Sequence, residues 1–136
     1  MNVAPLAPRL TGRGRHVLYI DDDLSMLFLV KRLLQRRGFR VSEFSDQIAG
    51  LNALRADPAG FALLVTDYNM PGLTGIDVAR EALKIRPDLP LALVSGYITD
   101  ELRLRAAEIG VHELIFKANA VDDFCDVIAR LLPDLH

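Results

Sequence analysis

The sequence has little of several residue types that define particular classes of protein. It contains one cysteine and no tryptophan among 136 residues. A single thiol cannot form an internal disulfide, which excludes a disulfide scaffold and favours a reducing compartment. The absence of any apolar run approaching about 20 residues argues against a membrane-spanning helix.

The chain also lacks a strong charge of either sign. Its net charge is −2, so bulk electrostatics gives no reason to expect nucleic-acid binding. Residues 1–15 contain prolines, glycines and arginines without the apolar segment of a secretory signal, and we interpret them as a flexible linker or tail. Residues 16–136 are enough for one domain with a core. We expect a cytoplasmic protein that by itself contacts neither membrane nor nucleic acid.

Short apolar runs alternate with amphipathic stretches along the rest of the chain. Runs at 17–20, 61–65, 91–94 and 114–116 suit strands buried on both faces, and 39–42 alternates like an edge strand. Helices are predicted at 24–37, 46–56, 74–86, 99–109 and 120–132, with N-caps at Asp46, Thr74 and Thr99 and stops at Gly38 and Pro87. This order predicts an α/β fold, a doubly wound five-stranded parallel sheet with strand order 2-1-3-4-5.

Each buried run ends in polar residues, which should meet at one edge of the sheet. These residues are Asp21, Asp22 and Asp23, then Asp67, Ser95 and Lys117. Ligands bind at this edge of open parallel sheets, where the strand order reverses. Crowded carboxylates repel one another unless a cation compensates, and Mg²⁺ suits such an oxygen site. A simpler interpretation is that the aspartate run only caps the first helix.

Asp67 is the candidate nucleophile, because a carboxylate can carry a phosphoryl group as an acyl phosphate. Lys117 could neutralise one phosphoryl oxygen, and Ser95 could donate a hydrogen bond to another. The loop after Asp67 contains Pro71 and Gly72, which favour a defined turn that aims the Asn69 carbonyl at the metal.

These motifs together resemble the response-regulator receiver family of two-component signalling. The resemblance covers about residues 16–134 and rests on the segments 19–23, 66–72, 93–96 and 115–117. It implies a flavodoxin-like (βα)5 fold and a phosphoacceptor, Asp67, that takes its phosphoryl group from a histidine kinase or histidine phosphotransfer domain. It also implies Mg²⁺ held by Asp22, Asp67 and the Asn69 carbonyl, with Asp21 helping directly or through water. Ser95 becomes the hydroxyl switch residue, and Lys117 pairs with the phosphoryl group.

The sequence as a whole is similar to receivers at the C-terminus of hybrid histidine kinases. It departs from the family pattern at two positions. Ala118 replaces the usual proline after the lysine, so we expect a trans Lys117–Ala118 bond. Leu114 replaces a frequent aromatic residue, which argues against an aromatic switch. A degenerate receiver that binds partners without phosphorylation therefore remains an alternative.

Two other classes of function fit the residues less well. A hydrolase with an aspartyl-phosphate intermediate typically needs an acid where Asn69 stands. A flavin-binding module needs a phosphate-cradling loop where the three aspartates stand. We accordingly expect a signalling domain and not an enzyme, with at most self-phosphorylation and self-dephosphorylation.

The first helix has more apolar residues than one buried face requires. One stripe, at Met26, Leu29, Val30, Leu33 and Leu34, is predicted to face the core. A second stripe contains Leu24, Leu27, Phe28 and Lys31. Because this helix begins beside Asp22, we predict that Leu24, Leu27 and Phe28 dock on the helices of the phosphohistidine protein; packing by the N-terminal arm is the alternative.

Overall fold

The predicted alternation of strands and helices is present in the part of the chain that the structure describes. The computed structural model describes residues 12–117 and 120–132. Its strands are β1 His16–Ile20, β2 Arg40–Phe44, β3 Leu63–Asp67, β4 Leu91–Ser95 and β5 Glu113–Phe116. Its helices are α1 Leu24–Arg36, α2 Gln47–Ala56, α3 Gly75–Ile85, α4 Asp100–Ile109 and α5 Ala120–Leu131, with a short 3₁₀ turn at Pro58–Gly60.

The strands form one parallel sheet in the order β2-β1-β3-β4-β5, which confirms the predicted fold class and strand order. Successive side chains of a strand point to opposite faces. Val17 and Tyr19 of β1 accordingly pack with α1 and α5, whereas Leu18 and Ile20 pack with α2 and α3. Burial on both faces explains why these runs are continuously apolar.

The helix ends follow the capping residues that the sequence predicts. Asp46, Thr74 and Thr99 are the N-caps of α2, α3 and α4, and Thr74 forms a reciprocal capping box with Asp77. Helix α1 ends at Arg36, and Gly38 follows with φ +88°. This left-handed conformation favours glycine and ends the helix, as predicted.

Residues 12–15 differ from the predicted tail. The amide of Gly12 donates to the Arg37 carbonyl at 2.7 Å, and that of Gly14 donates to the Gly38 carbonyl at the same distance. A Cβ on Gly12 would lie 2.4 Å from the Phe39 nitrogen, so the close contact requires glycine. The packed part of the chain thus includes this turn, while residues 1–11 lie outside the described residues.

The orientation of α1 corrects the prediction for the first helix. Leu27, Val30 and Leu34 are its buried residues, whereas Leu29 is 43% exposed. Leu27 is 5% exposed and belongs to the core between the sheet, α1 and α5. Its assignment to an exposed docking surface was wrong, because a small rotation about the axis of an apolar helix exchanges neighbouring stripes.

Candidate functional site

Three carboxylates meet where β1 and β3 end. Asp21 directly follows β1, and Asp67 is the last residue of the neighbouring β3. Asp21 is 0% exposed and Asp67 is 2% exposed, whereas Asp22 is exposed. One carboxylate oxygen from each of the three lies within 4.8 Å of the others. The structure therefore brings together the acids that the strand-end pattern predicts.

Lys117 lies against this acidic cluster. Its Nζ is 3.6 Å from Asp21 Oδ1, 3.6 Å from Asp67 Oδ2 and 3.9 Å from Asp23 Oδ2. The lysine follows β5, two strands from β3, so only the parallel fold brings it to the acids. The ammonium partly neutralises the carboxylates and lies beside the predicted nucleophile. The predicted Lys117–Ala118 bond cannot be compared, because Ala118 lies outside the described residues.

The environment of Asp67 strongly disfavours its ionised form. Burial and the neighbouring Asp21 carboxylate raise its pKa from 3.8 to about 7, Lys117 acts in the opposite direction, and Asp22 adds a smaller rise. Any further cation that approaches such a carboxylate stabilises its ionised form. This is the electrostatic setting that a metal-binding nucleophile needs.

Asp21 is fixed by two hydrogen bonds within the chain. The Tyr19 hydroxyl donates to Asp21 Oδ2 at 2.7 Å, and the Asp23 amide donates to Asp21 Oδ1 at 2.9 Å. Burial raises the pKa of the Tyr19 phenol, so its hydroxyl stays protonated and remains a donor. Tyr19 was not recognised from the sequence, although it stands two residues before Asp21 and so shares its side of the strand.

Asp23 serves the helix as well as the cluster. Its side chain accepts hydrogen bonds from the amides of Ser25 and Met26 and is the N-cap of α1. The capping interpretation of the aspartate run is therefore correct for Asp23. It does not account for Asp21 and Asp22, which join Asp67.

The loop after Asp67 turns tightly at its base. The Gly75 amide donates to the Tyr68 carbonyl at 2.9 Å, and a Cβ at this glycine would lie 2.4 Å from the Asp67 carbonyl oxygen. Gly72 has φ +86°, so the turn uses the conformational freedom of glycine. Asn69 lies exposed between these points, two residues after the acid. Its carbonyl stays a predicted metal ligand.

Ser95 is buried at the end of β4 and is engaged with its own loop. Its Oγ donates to the Tyr97 carbonyl at 2.6 Å and accepts from the Tyr97 amide at 3.1 Å. With Tyr68, Asn69 and Arg105 it lines a cleft beside the carboxylates. Ser95 thus lies at the predicted sheet edge, but the hydrogen bonds described for its hydroxyl join it to Tyr97.

Leu114 packs beside this edge as an aliphatic residue. It is half-buried against a small core cluster that contains Ile76, Leu93 and Leu102. An aliphatic side chain supplies packing here but no ring or hydroxyl. The lack of an aromatic switch stays a prediction.

The exposed apolar residues of α1 form a surface next to the acids. Leu24 is 69% and Phe28 64% exposed, and the Arg32 guanidinium lies 5.5 Å from the Phe28 ring centroid. Leu27 lies beneath them at the edge of the same depression, mostly covered. We define Leu24 and Phe28 as the α1 patch. It begins two residues after Asp22.

The donor set fits a divalent cation. Asp21, Asp22 and Asp67 offer only oxygen atoms, which hard cations such as Mg²⁺ prefer, and their net negative charge exceeds what Lys117 neutralises. Burial is the largest cause of the raised pKa of Asp67, and the Asp21 and Asp22 carboxylates add to it. The geometry therefore shows an acidic pocket that could hold a metal ion.

A doubly wound parallel sheet with strand order 2-1-3-4-5 defines the flavodoxin-like class of folds, and the acidic pocket lies at the ends of β1 and β3, where this order reverses. The sequence model of the response regulator receiver domain matches residues 17–129. The chain is 35% identical over 106 residues to the C4-dicarboxylate transport transcriptional regulatory protein DctD of Rhizobium meliloti, covering 78% of this chain and 23% of DctD. It is 34% identical over 114 residues to chemotaxis protein CheY-3 of Vibrio cholerae, covering 79% of this chain and 84% of that protein.

Solved structures agree with this relationship. A response regulator receiver domain protein from Clostridium thermocellum superposes with a TM-score of 0.82 at 27% identity, covering 88% of this chain and 95% of that one. The chain belongs to the response regulator receiver domain family. The closer likeness to receivers of hybrid histidine kinases stays a prediction. No helix in the described part of the chain is long and apolar enough to cross a membrane.

Proposed function

We propose that this domain accepts a phosphoryl group from a phosphohistidine onto Asp67, with Mg²⁺ bound by the neighbouring acids. The observation that carries the proposal is the position of Asp67, 2% exposed, with Lys117 Nζ 3.6 Å from its Oδ2 and two further carboxylates beside it. An acid buried in this way lowers the stability of the folded protein. A role as a nucleophile would explain why an acid is present at this position.

In the transfer step, a carboxylate oxygen of Asp67 attacks phosphorus. The oxygen–phosphorus bond forms as the phosphorus–nitrogen bond of the phosphohistidine breaks, and the leaving imidazole nitrogen takes up a proton from solvent. Lys117 neutralises charge on the phosphoryl oxygens from its place beside Asp67. Ser95 would donate to another phosphoryl oxygen after its hydroxyl turns away from the Tyr97 carbonyl. When bound, Mg²⁺ would supply further charge neutralisation through Asp22, Asp67, the Asn69 carbonyl and Asp21.

This chemistry makes the domain a signalling acceptor and not an enzyme that turns over an external substrate. Phosphorylation of the domain by small phosphodonors and hydrolysis of its own acyl phosphate are the reactions we expect of it. Its donor is a histidine kinase or a histidine phosphotransfer domain, and we propose that it works in the cytoplasm. The relative CheY-3 is named a chemotaxis protein and DctD a transcriptional regulator. Neither output is carried over to this chain.

The direct test is to incubate the protein with acetyl phosphate and then to measure its intact mass. With Mg²⁺ we expect one added phosphoryl group, about 80 Da. The adduct should be absent from Asp67→Asn and from the wild type in EDTA. An adduct that persists in Asp67→Asn would exclude this phosphoacceptor. Absence of both adduct and Mg²⁺ binding in the wild type would favour the degenerate receiver.

We further propose that the α1 patch binds the helices of the phosphohistidine protein. The patch is apolar, exposed and begins beside Asp22, so a helix resting on it would hold a histidine near the acids. Leu24→Ser tests this, with Leu104→Ser as the matched control, since Leu104 of α4 is 65% exposed. Leu24→Ser should slow transfer from the histidine donor and leave acetyl phosphate labelling unchanged. Equal slowing by both variants would contradict a specific patch.

A further inference from the structure

A buried amide from another element holds the loop that follows Asp67. Gln47 is the first residue of α2 and is 9% exposed. Its Nε2 donates to the carbonyl oxygen of Pro71 at 2.7 Å and to that of Leu73 at 3.0 Å. An amide nitrogen carries two hydrogens, so both are used on this loop.

The loop has separate anchors at its base and near its tip. The bond from the Gly75 amide to the Tyr68 carbonyl closes the base, and Met70 is buried in the core. Beyond Met70, the chain turns at Gly72, which has a positive φ. Gln47 hydrogen-bonds to the residues on either side of this glycine and so links the turn to α2. Gln47 therefore adds hydrogen bonds to a segment that also packs on the core through buried Met70 and partly buried Leu73.

The chemistry of Gln47 suits this task better than simple packing. A buried amide loses its contacts with water, which is unfavourable unless hydrogen bonds replace them. The first turn of a helix usually offers polar residues an exposed place, yet this side chain is folded inward. Both acceptors that it reaches are carbonyls of the loop that contains Asn69, the predicted backbone ligand.

We propose that Gln47 is a positioning residue for the metal-binding and phosphorylation site. It holds residues 71–73, and thereby the Asn69 carbonyl and the chain leaving Asp67, in the arrangement that accepts Mg²⁺. This inference rests on the proposed function, because it assigns Gln47 a part in the metal binding proposed there. A purely structural Gln47 would add stability without affecting how tightly the site binds the metal.

The test is the Mg²⁺ affinity of Gln47→Met, measured by isothermal titration calorimetry on the folded protein. Methionine keeps the length of the side chain and removes both donors. We expect about 3- to 10-fold weaker Mg²⁺ binding, which corresponds to about one typical hydrogen bond. Amides of the loop should also exchange their hydrogens faster in the metal-free protein. Gln47→Asn, whose side chain is one methylene shorter, should also weaken Mg²⁺ binding. It replaces Gln47→Met in this test if that variant folds poorly.

Two control variants separate positioning from general effects. Gln35→Met makes the same change at an exposed position of α1 and should leave Mg²⁺ affinity unchanged. Val127→Ala weakens the core with α1 and α5, on the other side of the sheet, and should lower stability without changing the affinity.

The two proposals fail in different ways. If the wild type and the Gln47 variants bind Mg²⁺ equally well, the positioning role is overturned while the proposed function stands. If the wild type itself binds no Mg²⁺, the metal-dependent function is overturned, and this role for Gln47 with it.

Discussion

Replacing Asp67 by asparagine should stabilise the metal-free protein at pH 8, although it removes the proposed phosphoacceptor. Burial and the Asp21 carboxylate raise the Asp67 pKa from 3.8 to about 7. At about 1.36 kcal/mol per pH unit, this rise corresponds to at most roughly 4 kcal/mol of lost stability at high pH. Because the substitution also leaves Lys117 with one carboxylate fewer, we expect a net gain of about 1–3 kcal/mol.

The gain should develop over a defined range of pH and persist above it. Asp67 has a higher pKa in the folded protein than in the unfolded chain, so between about pH 4 and pH 7 the native state binds a proton that the unfolded state has released. The contribution of Asp67 to wild-type stability therefore falls as the pH rises through this window. Below about pH 4 both states are protonated, and the advantage of Asp67→Asn should disappear.

Urea unfolding followed by far-UV circular dichroism would measure this effect in EDTA at pH 5, 6.5 and 8. Asp46→Asn is the matched control, because Asp46 caps α2 at the surface and asparagine is an equally good N-cap. It should show little change at any of these pH values. The electrostatic reasoning is refuted if Asp67→Asn is no more stable than wild type at pH 8, or if its advantage is the same at pH 5.

Three further changes test other parts of the structure. Lys117→Met should slow acetyl phosphate labelling by about tenfold or more, measured by intact mass, since it removes the ammonium beside Asp67; an unchanged rate would exclude that role. Gly75→Ala should cost about 1–3 kcal/mol in urea unfolding and slow labelling, because the added methyl group meets the Asp67 carbonyl; wild-type values would contradict the close contact. Leu27→Ala should cost about 2–4 kcal/mol, whereas Phe28→Ala should stay within about 0.5 kcal/mol; equal costs would contradict the orientation of α1.

The sequence was sufficient to predict the sheet and most of the cluster for one physical reason. Short apolar runs that alternate with amphipathic helices favour strands buried on both faces, and polar residues that end such strands lie at an edge of the sheet. Asp21, Asp67 and Lys117 were located in this way. The approach failed for α1, where Leu27 and Leu29 are equally apolar. Which of them faces the core depends on packing against the sheet and α5, which the pattern of one helix does not contain.

Gln47 and Tyr19 escaped the sequence analysis for different reasons. A polar residue at the start of a helix is ordinarily exposed, and Gln47 is buried only because residues 71–73 fold back over it. Tyr19 stands inside an apolar run, where its ring accounts for its presence. Its hydroxyl has a partner, Asp21, on the same side of the strand, so the spacing of two was a usable signal.

The two buried acids of the site are distinguished by the groups around them, and this difference supports our assignment of Asp67 as the nucleophile. Asp21 accepts one hydrogen bond at each oxygen, from the Tyr19 hydroxyl and the Asp23 amide, so its orientation is fixed. Lys117 Nζ lies 3.6 Å from an oxygen of each acid, but burial and the Asp21 carboxylate disfavour the ionised form of Asp67. Forming a bond from Asp67 to phosphorus would remove charge from this disfavoured carboxylate. The groups that fix the orientation of Asp21 thus leave Asp67 as the carboxylate whose charge a new bond would relieve.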